Sequence, residues 1–315
     1  MENTRTKTTR NSLILLLTAA IWGMAFVSQS KGMDYMHPFT FNGVRSLIGA
    51  ASILVYILIS RKIAGDKAAS FDWKLNVKAG LLCGIFLTIA STLQQFGIKY
   101  TSVGKAGFIT TLYIIFVPMF GIFLKKKVAP VVWAAAVMAA VGMYLLCMTE
   151  SLRLGAGDIM VFLCAIAFAI QIMTVDHYAA RIDGAVVSCI QFTVCGVVCC
   201  IGALIWGQPT FGQLQEGLGA LLYAGVLSCG VGYTLQIVGQ KGLNPTVAAL
   251  IMSLESVIAT ISGWIAYKIG FLTTDQTLTA RQIAGCVIVF AAVVLVQLPP
   301  EWFRFGKKNA SIKNA

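Results

Sequence analysis

Stretches of about twenty apolar residues recur along the whole chain, and this recurrence restricts the fold more than any other feature. A helix needs roughly 20 residues to cross the hydrocarbon core of a bilayer. Of the 315 residues, 58% are hydrophobic and 11% are charged, which lies outside the range of soluble proteins. The polar breaks are short, so no soluble domain is expected. The sequence predicts an all-α membrane protein.

The apolar stretches predict ten transmembrane helices. Backbone groups in lipid must be paired within the protein, and runs such as 159–170 lack the alternation of a membrane β-barrel. The predicted spans are 12–30, 38–60, 77–98, 104–124, 129–148, 156–176, 184–206, 218–240, 245–268 and 280–298. Arg5, Lys7 and Arg10 precede the first span as in a signal peptide, but no small-residue cleavage site follows. We therefore expect a retained helix.

The distribution of basic residues predicts how the spans are oriented. With a cytoplasmic N-terminus, 17 of the 24 Lys and Arg residues fall on the cytoplasmic side, six fall on the other side, and Arg45 lies within a span. This bias follows the positive-inside rule, and a missed span would place the Lys125–Lys127 run on the wrong side. Both termini are predicted to be cytoplasmic. The net charge of +12 is thus explained by loops and lipid contacts, not by nucleic acid.

Several kinds of chemistry have no sequence signature here. The nine cysteines form no Cys-x-x-Cys pair, so neither disulfides nor a metal site is expected. No Gly-x-x-x-x-Gly-Lys-Ser/Thr loop occurs, and no cofactor is predicted. Gly155–Asp158 matches the Gly-x-Gly-Asp motif of intramembrane aspartyl proteases, but Asp158 opens a span, where capping of the helix N-terminus explains it. An enzyme is not expected.

The chain contains an internal repeat. Shifting the sequence by 142 positions aligns 92–121 with 234–263 without a gap, and nine of the thirty positions are identical. Spans three and four therefore correspond to spans eight and nine, and the repeating unit is five helices, 12–148 and 156–298. An odd number of helices makes the second copy enter the membrane from the opposite side. Such inverted repeats place a solute site near the bilayer midplane, between the two copies.

Short motifs along 12–298 resemble one transporter family. They are Ala20–Gly23, Arg45, Leu93–Gly97, Lys105–Tyr113, Val117–Pro118, Gly157–Asp158 and Ser253–Ser256. Together they resemble the EamA-type branch of the drug/metabolite transporter superfamily, whose members have ten helices in two such repeats. The resemblance implies a metabolite or amino-acid exporter. Where the family commonly ends spans four and nine with a glutamate, this chain has Lys125–Lys127 and Lys268–Gly270.

Two charged residues within spans are candidates for binding the solute. Glu255 is the one acidic residue inside an apolar segment, about ten residues or roughly 15 Å into span nine. An ionisable group at this depth indicates a solute site or a proton carrier, although a neutral, hydrogen-bonded glutamate is the alternative. Arg45 lies about 10 Å deep and can pair with Glu255, bind a carboxylate of the solute, or extend to the outer surface.

Polar and aromatic side chains within the spans complete the candidate site. Gln94 and Gln236 occupy equivalent positions of the two repeats, and Gln171 adds a third amide. They can line a cavity or simply bond helices to one another. The aromatic candidates, which can also be ordinary packing residues, lie away from the interfacial belts. They are Trp22, Tyr113, Tyr233 and Trp264.

These observations predict a secondary transporter of the inner membrane that moves a small organic solute by alternating access. Protons are the candidate coupling ion through Glu255. The alternatives are a membrane scaffold or a channel-like protein without a transport cycle. Pro118 is expected to kink span four.

Overall fold

The computed structural model describes residues 4–64, 72–124, 130–147, 155–273 and 276–297. The described residues contain helices and no strand. Eight helical segments are long and apolar enough to cross a membrane. They are Thr8–Gly32, Pro38–Ile63, Trp73–Ile98, Val103–Phe123, Ala156–Tyr178, Gly184–Gly207, Leu218–Gln240 and Pro245–Lys268. The prediction of an α-helical, multi-pass membrane protein is confirmed.

Fourteen α-helices make up the described part of the chain. They are α1 (Thr4–Gly32), α2 (Pro38–Ala64), α3 (Trp73–Ile98), α4 (Val103–Thr111), α5 (Tyr113–Phe123), α6 (Pro130–Cys147), α7 (Ala156–Tyr178), α8 (Gly184–Gly202), α9 (Phe211–Glu216), α10 (Leu218–Leu222), α11 (Tyr233–Gln240), α12 (Pro245–Met252), α13 (Leu254–Lys268) and α14 (Ala280–Gln297). Two π-helical stretches, Ala203–Gly207 and Tyr223–Gly232, extend α8 and join α10 to α11.

Predicted spans five and ten correspond to α6 and α14. Their apolar described parts, Pro130–Gly142 and Ala280–Leu295, are shorter than the other eight segments. The two helices pack against each other. The total of ten spans therefore stays a prediction. So does the orientation, since Lys125–Lys127 and the C-terminal cations Arg304, Lys307, Lys308 and Lys313 lie outside the described residues.

Span four is broken at a different place from the one expected. The interruption is at Leu112, between α4 and α5, whereas Pro118 lies inside α5. At this point the Thr111 hydroxyl donates a hydrogen bond to the carbonyl of Phe108, 2.9 Å away. A side chain that bonds back to the helix backbone in this way competes with the regular helical pattern.

Span nine is broken at the equivalent point of the second repeat. The interruption is at Ser253, between α12 and α13, and Ser253 is the counterpart of Thr111 at the offset of 142. Its hydroxyl donates to the carbonyl of Leu250, the counterpart of Phe108, over 2.7 Å. In both halves, a short helix thus ends next to a hydrogen bond from a hydroxyl to the carbonyl three residues earlier.

The helices of the two halves pack in an exchanged pattern. Helix α3 packs against α7, and its counterpart, the segment from α10 to α11, packs against α1. Likewise α1 packs against α13 and α7 packs against α4 and α5, while α2 packs against α8. This reciprocal arrangement is what a twofold relation between the halves produces. It brings both helix breaks to the middle of the bundle.

Candidate functional site

A small polar cavity lies between the two helix breaks. Residues from both halves line it: Trp22, Gln94, Thr110, Tyr113, Phe168, Gln171, Ile172, Gln236 and Glu255. Its volume is about 20 Å³ for the centres of water molecules, which is room for about one water. The cavity therefore needs a change of helix packing before it can hold an organic solute.

Glu255 and Tyr113 face each other across this cavity. The Tyr113 hydroxyl donates a hydrogen bond to Glu255 Oε1 over 2.9 Å, and both side chains are buried. Tyr113 is the first residue of α5, and Glu255 is the second residue of α13. Each helix break thus lies next to a polar side chain that lines the cavity.

Three glutamines form a chain of hydrogen bonds beside the cavity. Gln236 Nε2 donates to Gln171 Oε1 over 3.2 Å, and Gln171 Nε2 lies 3.5 Å from Gln191 Oε1. Gln236 Oε1 and Gln191 Nε2 are buried and have no partner among the residues that the structure describes. A buried polar atom without a partner costs about 1–3 kcal/mol. The row of three glutamines therefore has one free acceptor, Gln236 Oε1, and one free donor, Gln191 Nε2.

Gln94 is bonded differently from its repeat counterpart Gln236. Its Nε2 donates to the hydroxyl of Thr110 over 3.1 Å. Thr110 aligns with Met252 in the second half, so the same bond is not possible there. The polar groups of the cavity are thus asymmetric although the helices are arranged symmetrically.

An aromatic wall closes one side of the cavity. The rings of Trp22 and Tyr233 are 4.5 Å apart, and the Tyr233 ring contacts that of Phe192 edge to face at 4.9 Å. The Trp22 indole N–H lies 3.4 Å from the carbonyl of Ser228. Trp22 lines the cavity, and Tyr233 packs against the Trp22 ring without being part of the lining.

Arg45 lies apart from the cavity. Its side chain is buried, and no carboxylate of a residue within the described ranges lies within 4.0 Å of it. Its Nε donates to Asn42 Oδ1 over 2.8 Å, and its guanidinium lies 5.4 Å from the centre of the Phe41 ring. The structure therefore contains neither the Arg45–Glu255 ion pair nor an Arg45 that extends to the surface. Binding of a solute carboxylate stays a prediction.

The structure brings six of the nine predicted residues together. Trp22, Gln94, Tyr113, Gln171, Gln236 and Glu255 line one cavity, Tyr233 lies behind it, and Arg45 and Trp264 lie elsewhere. Sequence reasoning missed Thr110, Phe168 and Ile172. Phe168 lies three residues before Gln171 and four before Ile172, and this helical spacing is the signal that places Phe168 on a face with each of them.

A partly buried ion pair joins the two halves at the N-terminal ends of α4 and α7. Lys105 Nζ lies 2.6 Å from Asp158 Oδ2, which also accepts the backbone N–H of Gly155. The Thr101 hydroxyl donates to Asp158 Oδ1 over 2.9 Å. Asp158 thus stabilises the start of α7 as expected, although the N-cap residue itself is Gly155. Its carboxylate is fully engaged in these contacts.

A polar cavity enclosed by apolar helices, with broken helices at its centre, is typical of multi-pass membrane transporters. The model of the EamA-like transporter family matches this chain twice, at residues 10–148 and 155–298. The chain belongs to the EamA-like transporter family, and it is a two-repeat membrane transporter. The resemblance noted from its motifs is confirmed.

Known relatives and a solved structure agree with this family. An uncharacterized transporter of Archaeoglobus fulgidus is 27% identical over 290 residues, covering 90% of this chain and 84% of the relative. The uncharacterized transporter YwfM of Bacillus subtilis is 26% identical over 287 residues, covering 89% and 94%. A crystal structure with a TM-score of 0.72 and 16% identity, covering 94% of this chain and 99% of the other, shows the same fold.

Proposed function

We propose that this protein is a secondary transporter that moves a small organic solute, an amino acid or a related metabolite, by alternating access. The single observation that carries the proposal is the cavity at the two equivalent helix breaks, lined from both halves by amides, aromatic rings and one carboxyl. Broken helices of inverted repeats form the solute sites of many secondary transporters. The direction we propose is export, which follows the resemblance to amino-acid and metabolite exporters.

The repeats we propose are 12–148 and 156–298, inserted in opposite orientations in the cell membrane with both termini in the cytoplasm. Rocking of one repeat against the other opens the cavity to either side. The small size of the cavity fits a closed conformation between two open ones. A channel without such a cycle would need a continuous path across the membrane in place of a closed cavity.

The coupling ion we propose is the proton, carried by Glu255. Charging a carboxyl at mid-membrane depth costs several kcal/mol unless a partner compensates the charge. The hydrogen bond from Tyr113 is the one polar contact of the Glu255 carboxyl in the described part of the chain, and no cation lies within 4.0 Å of it there. A proton supplies the missing compensation, and its release couples transport to the pH gradient.

Flux measurements with purified protein in liposomes test both proposals. Separate vesicle preparations are loaded with the twenty amino acids, with nucleosides or with sugars, and release is followed by mass spectrometry with and without a pH gradient. We expect solute release to depend on the gradient in the wild type. In Glu255→Gln, which keeps the size and an acceptor for Tyr113, gradient dependence is lost while exchange of solute for solute remains. Glu216→Gln, at the exposed end of α9, is the matched control.

Each outcome bears on a different part of the proposal. Release that ignores the pH gradient in the wild type contradicts proton coupling but leaves solute transport intact. Failure of amino acids, nucleosides and sugars alike to be released beyond the rate of empty liposomes contradicts the carrier itself.

A further inference from the structure

A second polar site surrounds Arg45, outside the cavity. It is formed by side chains of α2, α3 and α8, called here the Arg45 cluster: Asn42, Arg45, Ser46, Ser91, Cys195 and Cys199. Asn42 holds the cluster together, because it accepts from Arg45 Nε and donates to Ser91 Oγ over 3.1 Å. The Ser46 and Ser91 hydroxyls each lie 3.4 Å from the thiol of Cys195.

The guanidinium of Arg45 is buried without a counter-charge among the described residues. Its side chain is 5% exposed, and the bond to Asn42 engages Nε alone. No hydrogen bond joins its two Nη nitrogens to a described residue. A buried charge that stays unpaired is strongly destabilising, and the nearby Phe41 ring offsets only a part of that cost. An anion bound at the guanidinium would supply the missing counter-charge.

The free edge of the guanidinium defines which anion fits. With Nε engaged by Asn42, the two Nη nitrogens remain as a parallel pair of donors. A carboxylate can bind such a pair through both oxygens, in a charge-assisted, bidentate arrangement.

The Arg45 cluster adjoins the cavity through two helices. Ser91 lies one turn before Gln94 on α3, and Gln94 lines the cavity. Cys195 lies one turn after Phe192 on α8, and Phe192 contacts the Tyr233 ring. The Arg45 cluster therefore lies on the same helices as residues of the cavity lining and of the aromatic wall.

We propose that the Arg45 cluster is a carboxylate subsite and that the transported solute carries a carboxylate. This inference rests on the proposed transport function and adds the chemical class of the solute. It assigns Arg45 a binding role that is separate from that of Glu255. The zwitterionic amino acids and the simple organic acids both satisfy it, whereas their amides do not.

Thermal unfolding of the purified protein with matched compounds tests the subsite. The probes are the twenty amino acids, the corresponding carboxylic acids without the amino group, the amino-acid amides, and glycerol phosphate. At a hundred times its dissociation constant, a carboxylate that binds should raise the melting temperature of the wild type by about 5 °C. The matching amide should have no effect. Arg45→Gln should bind the acid about a hundredfold more weakly.

Two further variants keep the test decisive. Lys99→Gln removes an exposed cation at the end of α3 and should respond as the wild type does. Arg45→Lys keeps the charge without the paired donors and should respond weakly. If Arg45→Gln does not fold, Arg45→Lys replaces it as the decisive variant, and it should lose most of the stabilisation by the acid that the wild type shows.

The outcomes separate this inference from the transport proposal. Equal stabilisation by an acid and its amide, an acid effect that survives Arg45→Gln, or stabilisation by glycerol phosphate alone would overturn the carboxylate subsite. A neutral solute that is released from liposomes regardless of Arg45 would do the same while leaving the carrier intact. Absence of release for every solute class would overturn the carrier, and the subsite with it.

Discussion

The Tyr113 hydroxyl and the Glu255 carboxyl lie 2.9 Å apart, although 142 residues separate them along the chain. This separation equals the offset of the internal repeat, so the two residues are counterparts in the two halves. The two repeats have thus placed a hydroxyl and a carboxyl at equivalent helix breaks, facing each other. A site with a different group from each half can distinguish the two ends of a solute.

Replacing Tyr113 by phenylalanine should expose the role of this bond. Tyr113→Phe leaves the Glu255 carboxyl without its hydrogen bond, at a cost of about 1–3 kcal/mol. We expect a lower melting temperature and a pH dependence of solute release that differs from that of the wild type. Tyr144→Phe, at a half-exposed position on α6, is the control. A Tyr113→Phe protein with unchanged stability and pH profile would contradict the importance of the bond.

A methyl group at Gly97 should separate two packed helices. A Cβ there would lie 2.8 Å from the backbone oxygen of Gly157 and against the Val161 side chain, so α3 and α7 would have to move apart. Gly97→Ala should destabilise the protein by about 1–3 kcal/mol, measured as a lower melting temperature. Gly212→Ala meets open space and serves as the control. Equal effects of the two changes would contradict close packing of α3 on α7.

Loss of charge at Asp158 should weaken the junction between α4 and α7. Asp158→Asn removes the charge that pairs with Lys105. The free energy of unfolding should fall by about 2 kcal/mol. The exposed pair Lys31–Asp34 is a matched control, because Asp34→Asn should cost less than about 0.5 kcal/mol. Denaturation of the three proteins in the same detergent compares them. A cost for Asp158→Asn no greater than that for Asp34→Asn would show that the junction is not tight.

The pKa of His37 should respond to a neighbouring lysine. His37 lies between α1 and α2, and burial together with the positive charge of Lys99 lowers its pKa below 6.5. The folded protein therefore binds fewer protons at His37 than the unfolded chain does, so this contribution to stability is present above about pH 6.5 and is lost as the pH falls. Lys99→Gln should raise the pKa of His37, observed by NMR. Lys74→Gln, at the opposite end of α3, should leave it unchanged, and equal shifts in both variants would contradict the assignment.

The helix breaks lie at positions that the sequence alone does not predict. Pro118 was the expected point of distortion in span four, because proline removes a backbone donor. The chain breaks instead at Leu112 and Ser253, each next to a hydroxyl that bonds back to a carbonyl one turn earlier. Thr and Ser occur in many intact membrane helices, so their presence alone does not predict a helix break. The equivalence of Thr111 and Ser253 at the repeat offset was the available signal.

The sequence by itself determined that this is a membrane protein, where its apolar segments lie, that the halves correspond at an offset of 142, and that Glu255 and Arg45 are exceptional. These are properties of neighbouring residues along one chain, and lipid imposes them on each segment separately. Only the tertiary structure decided that Glu255 bonds to Tyr113 while Arg45 lies in a cluster of its own. Which side chains meet across helices depends on how the helices pack, and packing is a property of the whole bundle.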